Sequence, residues 1–119
     1  MRSRPSLERR PGLAAHQHVQ ARIVELRASL ACMEALLYHA RTSYLAGTPC
    51  EAELSVLKWR GVDWALEGAE HVLRLTGARG YESARGPEKD VRDLMGLTLL
   101  GGTCELHKGV VFTATTRGT

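Results

Sequence analysis

An all-α fold, an up-and-down antiparallel bundle of two long helices and two shorter ones, is what this sequence predicts. Three observations carry it. Val19, Ile23, Leu26, Leu30, Met33, Leu37, Ala40 and Tyr44 recur at alternating spacings of four and three, a heptad seam. Gly61, Ala65 and Gly68 form a small-residue stripe inside a second apolar-periodic stretch. Each mid-helix glycine costs about 1 kcal/mol relative to alanine, so the stripe implies another helix backbone close by. Glycine clusters at Gly77 and Gly80, at Gly86, and at Gly101 and Gly102 then punctuate two short apolar runs and mark helix ends.

Residues 1–12 contain Pro5, Pro11 and Gly12 and read as a basic flexible tail; residues 13–119 read as one helical domain. The first helix is expected over about Leu13–Ala46, ended by Gly47, Thr48 and Pro49. A lone exposed helix of that length is unstable, so its seam must pack. Leu36 and Leu45 lie off the seam and hint at a second buried face. The second helix is expected over about Glu51–Leu75, with the small-residue stripe available for subunit contact. Residues 77–86 read as a loop. Pro87 suits the first position of a short helix to about Met95. Thr103 is a candidate N-cap for a last helix, about Cys104–Thr115.

A length of 119 residues allows one small domain, and an apolar fraction of 44% allows a core. No run of about 18 apolar residues is present, so no membrane span is expected. The N-terminus has arginines but no apolar segment, unlike a secretory signal. Three cysteines, Cys32, Cys50 and Cys104, lack metal-ligand spacing. Reduced thiols, no metal site and a cytoplasmic location are the expectation. The net charge of +3 is concentrated as arginine in the first ten residues. That is a solvated tail or an anion-binding arm; no aromatic residue interleaves with the arginines, so nucleic acid is not the expected partner.

The densest motif is TGARGYESARGPEKDVRDLMGLTLLGGTCEL, residues 76–106. Gly77, Gly80 and Tyr81 form its first block, Glu88, Lys89, Arg92 and Asp93 its second, and Gly102, Thr103, Glu105 and Leu106 its third. Together with Lys58 and the His16–Gln17 pair upstream, this order resembles the C-terminal helical domain of the acyl-CoA dehydrogenases over roughly residues 8–115. The resemblance implies an oxidoreductase context: an FAD site built between subunits, where a carboxylate removes the α proton of an acyl-CoA thioester while the β hydrogen leaves as hydride.

By the same resemblance, Thr103 and Glu105 match cofactor contacts within a subunit, and Gly77 and Gly80 match glycines that approach a neighbour's cofactor. Arg74 replaces the family's Gln and is able to pair with a diphosphate. Structural readings stand beside these: a cap for Thr103, a helix end for Gly77 and Gly80. The family's diphosphate-binding Arg-x-x-Phe-Gly survives only as Arg9-Arg10-Pro11-Gly12. Gly101 occupies the usual position of the catalytic base, so no catalytic residue is assigned. Members with Gly there carry Glu on an earlier helix, which this sequence lacks; otherwise the site is degenerate. Arg92 and Asp93 read best as a buried or interfacial ion pair, and Glu88 and Lys89 as a solvated face.

The family's other domains are absent from this sequence, so the chain is expected to be inactive alone. Three functions remain open. The first is a partial acyl-CoA dehydrogenase subunit, completed as a homo-oligomer or by a second acyl-CoA dehydrogenase-like chain, with acyl-CoA bound only in the complete complex. The second is a flavin-free helical oligomerisation or interaction module. The third is a basic bundle that binds an anionic partner through its arginine tail.

Overall fold

In the computed structural model, residues 12, 15–77 and 86–117 are described. They form four helices and, among the described residues, no strand. Helix α1 spans Gln17–Leu45, α2 Glu51–Thr76, α3 Pro87–Leu97 and α4 Cys104–Thr116. Helix α2 is the centre: α1, α3 and α4 each pack on it, and among the described residues no other pair of helices is in contact. The basic tail, apart from Gly12, together with Gly80 and Tyr81, lies outside the described residues.

Helix α1 starts later than expected because His16 is still extended, with ψ of 128°. Helix α3 runs through Gly96 and stops at Thr98, whose hydroxyl folds back to the Met95 carbonyl at 2.6 Å. Helix α1 is antiparallel to α2, since the contacts Leu26–Gly68, Met33–Gly61 and His39–Glu53 step in opposite directions along the two. The same holds for α4, which meets α2 through Cys104–Asp63 and His107–Ser55. No helix among the described residues is long and apolar enough to cross a membrane.

The heptad seam divides. Val19 and Ala40 are buried, and Leu26 and Met33 half-buried, all on the side facing α2. Ile23, Leu30, Leu37 and Tyr44, the alternate seam positions, are 50–73% exposed. Leu36 is half-buried, whereas Leu45 is exposed. A heptad seam has two flanks, and a single neighbour covers one of them.

The small-residue stripe of α2 faces α1 of the same chain. A Cβ added at Gly68 would lie 2.9 Å from Leu26 Cδ2, and one at Gly61 would lie 3.5 Å from Met33 Sδ. Within the chain the helix that approaches this stripe is α1, whose Leu26 and Met33 lie against the notch the glycines leave. Arg92 and Asp93 do not pair with each other either. Arg92 reaches Glu88 at 3.6 Å and Asp93 bonds Lys89, each one turn back, because consecutive helical residues diverge while residues four apart meet. All but Glu88 are more than half exposed; Glu88 is 20% exposed, with Oε2 buried and unbonded, so it is not a solvated residue.

Candidate functional site

The residues picked out from the sequence fall into two places along α2. Near its end, α2 and the start of α1 enclose a groove of about 260 Å³ lined by His18, Val19, Arg22, His71, Arg74 and Leu75. Val19 and Leu75 give it an apolar floor, and two guanidinium and two imidazole groups rim it. Among the described residues the rim's ion pairs form within single helices: Arg22–Glu25 at 2.9 Å, His71–Glu67 at 3.8 Å and Arg74–Glu70 at 3.9 Å. The exposed pairs of Arg22 and Arg74 are weak and readily exchanged for another anion. Helix α1 begins here with no side-chain cap and no acid in its first turn. Sequence reading found Arg74 but not His18, Arg22 or His71. The signal was a set of basic residues at helix ends that only the antiparallel pairing brings together.

Gly77 closes α2, with φ of 62° and its amide donating to the Leu73 carbonyl at 3.1 Å. A Cβ there would meet nothing within 4 Å. Glycine is required for the left-handed backbone, not for room within this chain.

The second place is the turn between α3 and α4. Gly101 and Gly102 have φ of 73° and 99°. Thr103 is extended, and its hydroxyl accepts from the Leu106 amide at 3.3 Å, an N-cap. Glu105 is 82% exposed and reaches Lys108 at 3.2 Å. It opens onto a groove of about 510 Å³ between α4 and the start of α2 that also includes Glu51, Leu106 and Thr113. Two side chains of α2 support the turn. Lys58 donates to the Leu97 carbonyl at the end of α3, and Ser55, buried, lies 3.2 Å from His107 Nδ1. His107 Nε2 donates to the Gly101 carbonyl at 3.0 Å. Ser55 and His107 carried no sequence signal, because their pairing spans α2 and α4.

Lys108 also approaches the Trp59 ring, 5.1 Å from its centroid, a cation–π contact that helps seat α4 on α2, while Arg60 lies over Trp64 at 4.5 Å within α2 itself. Cys104 Sγ is 3.9 Å from Asp63 Oδ1. Among the described residues no three His, Cys, Asp or Glu side chains converge.

Lys58, beside the turn, and Arg74, in the basic groove, are about 24 Å apart along α2 at its rise of 1.5 Å per residue. Thr103 and Glu105 therefore do not converge with Arg74 and Gly77 on one spot.

Comparison with known proteins agrees with this architecture. Nine solved chains match it. One is the crystal structure of acyl-CoA dehydrogenase from Geobacillus kaustophilus, at a TM-score of 0.82 and 22% identity, covering 90% of this chain. This chain spans 29% of the length of that one. No curated protein matches the sequence. The sequence profile described as "Acyl-CoA dehydrogenase, C-terminal domain" matches residues 2–115. With four helices in the matching fold and nearly the whole sequence under that profile, the chain belongs to the acyl-CoA dehydrogenase family, as a counterpart of its C-terminal domain.

Proposed function

We propose that this chain is a partial acyl-CoA dehydrogenase subunit that contributes to an FAD site shared with another chain, and that it is inactive alone. The observation that carries this reading is the groove between α1 and α2. Its rim of Arg22, Arg74, His18 and His71 around an apolar floor suits a ligand with an apolar or aromatic body and a diphosphate. Arg74, in the place of the family's Gln, gives a forked donor for phosphate oxygens. The Thr103 hydroxyl and the Glu105 carboxylate sit well away from it, so one chain offers two partial contacts in separate places. A second copy, or a second acyl-CoA dehydrogenase-like chain, would present the complementary half.

When bound, the flavin supplies the acceptor for the hydride that leaves the acyl β carbon. This chain's own contributions are narrower. Arg74 and Arg22 bind and orient an anionic group, Thr103 fixes the start of α4, and Gly77 ends α2 so that its last turn stays open to a neighbour. No carboxylate stands at position 101, so proton abstraction falls to a group from elsewhere.

The test is equilibrium titration with FAD and with ADP, followed by absorbance and calorimetry, on the chain and on Arg74→Ala. Weak binding by the unaltered chain, weakened further by Arg74→Ala and by added salt, is expected. Binding indifferent to both changes contradicts the assignment. The second reading, a flavin-free helical module, draws on the exposed flank of α1 at Ile23, Leu30, Leu37 and Tyr44. It requires stable self-association with no flavin affinity at any concentration.

A further inference from the structure

We infer that Lys58 and His107 are positioning residues that lock the Gly101–Gly102 turn in a backbone conformation that favours glycine, so that a proton-abstracting side chain at position 101 is penalised. The significance of position 101 rests on the proposed function above, as the place where the family's base usually stands; the lock itself rests on geometry.

Two arrangements are compatible with a glycine at that place. In one, the turn is that of a competent site with a side chain deleted. In the other, it has been rebuilt around glycine. The geometry points to the second. Gly101 has φ of +73°, in the left-handed region that side chains rarely adopt. A Cβ at 101 would lie 3.3 Å from Lys58 Cε. That methylene is not a loose end, because the ammonium beyond it is bonded to the Leu97 carbonyl. Lys58 thus takes the space a side chain would enter and at the same time ties down the last turn of α3.

The other side of the turn is held as firmly. Gly102 has φ of +99°, and a Cβ there would lie 2.8 Å from Leu106 Cδ2 and 3.2 Å from His107 Nε2. A carbonyl only accepts, so the 3.0 Å contact of His107 Nε2 with the Gly101 oxygen requires the hydrogen on Nε2. Nδ1 is then free to accept from the Ser55 hydroxyl at 3.2 Å. Ser55 is buried on α2, so the imidazole bridges α4, the turn and the central helix. A side chain placed at 101 must push Lys58 aside and accept a positive φ, or turn the backbone over, and turning it over removes the carbonyl from His107.

The experiment compares thermal unfolding of Gly101→Ala and Gly101→Glu in the unaltered chain and in a Lys58→Ala background. Gly101→Glu is expected to lower Tm by roughly 5–10 °C. The penalty of Gly101→Ala should shrink in the Lys58→Ala background, where the tight 3.3 Å contact is gone and only the backbone strain remains. Unchanged Tm for Gly101→Glu in both backgrounds overturns the inference.

Where variants fail to fold, nitrogen NMR of the unaltered chain decides. A hydrogen on His107 Nε2 supports the lock, and the Nδ1–H tautomer contradicts it. A further readout separates positioning from bulk packing. His107→Gln retains an N–H group able to reach the Gly101 carbonyl, whereas the shorter His107→Asn does not. Amide exchange at Leu99 and Leu100, which bond to the Gly96 carbonyl at 3.1 and 3.3 Å, should stay protected in His107→Gln. It should speed up roughly two- to tenfold in His107→Asn. Equal exchange in both overturns the inference. None of these readouts involves flavin, so failure of the lock leaves the flavin proposal intact, and failure of flavin binding leaves the lock intact.

Discussion

The two ends of α2 carry different kinds of contact. In its first half, Ser55 and Lys58 bond directly to α4 and to the end of α3, and the Gly101–Gly102 turn is closed around them. In its last turns, His71 and Arg74 face His18 and Arg22 across a groove where, among the described residues, the ion pairs of these side chains stay within their own helices. One end is closed by contacts between helices; under the proposed function, the other offers its charge to a cofactor. Substitutions at the first end should therefore act on stability, and substitutions at the second on binding.

The largest effect is expected midway, where both ends depend on how α1 seats on α2. Gly68→Val drives carbon into Leu26, whose Cδ2 would already lie 2.9 Å from a Cβ. Overpacking of this kind costs about 1–3 kcal/mol, and prying α1 away should also abolish anion binding at the basic groove. Denaturant unfolding and ADP titration check the two parts. Next comes His107→Ala, which removes both of its bonds and should cost about 2 kcal/mol in unfolding free energy while leaving ADP affinity unchanged. Thr103→Ala removes the cap of α4, about 1 kcal/mol, read as lost helicity and lower Tm. Arg74→Ala reverses the pattern. Its side chain is 74% exposed, so stability should change by less than about 0.5 kcal/mol while anion affinity drops.

The smallest effect is a pH dependence confined to α3, at neither end of α2. The hydrogen bond from Lys89 holds the Asp93 carboxyl below the usual aspartate range, and the same bond holds Lys89 above the usual lysine value. For Asp93 the folded value is depressed, so its contribution is present above about pH 4 and fades as pH falls further. For Lys89 the folded value is raised, so its contribution is present at neutral pH and fades as pH rises through the folded value. Asp93→Asn should flatten the acid limb of a stability–pH curve slightly and change nothing near neutrality.

Helix type and order were legible in the sequence because they follow from local signals. Pro87 opens α3, Thr103 caps α4, and the positive-φ glycines at 47 and 77 end α1 and α2 where expected, whereas α3 stops at Thr98, ahead of the glycines at 101 and 102. The seam of α1 announced a packed helix, but a heptad pattern does not say which flank meets which neighbour, so Ile23 and Leu30 read the same as Val19 and Leu26. The stripe at Gly61 and Gly68 signalled a close approach without naming the partner, which is α1. The candidate site was less legible. Arg74, Gly77, Thr103 and Glu105 were chosen by resemblance to positions that, in the family, surround a cofactor from more than one subunit. Nothing local says that they lie in two places. His18, Arg22 and His71 come to one groove only through the antiparallel pairing, and Ser55 and His107 meet only across two helices.

Charge exchange at α1 offers a sharper view of the uncovered flank. Leu30→Asp and Leu37→Asp fall on residues 50% and 56% exposed and should leave the fold within about 0.5 kcal/mol. If that flank is where another chain docks, they should dissociate an assembly in sedimentation. Unaltered sedimentation would place any partner elsewhere.

The central claim is that this chain holds part of a flavin site and none of the chemistry by itself. The direct measurement is a flavin absorbance spectrum of the purified chain with added FAD, followed by a panel of acyl-CoA thioesters and an electron-acceptor dye. A shared site predicts weak FAD uptake, no bleaching and no dye reduction, for the unaltered chain and for Gly101→Glu alike. A flavin held by the isolated chain and bleached by any acyl-CoA would contradict it.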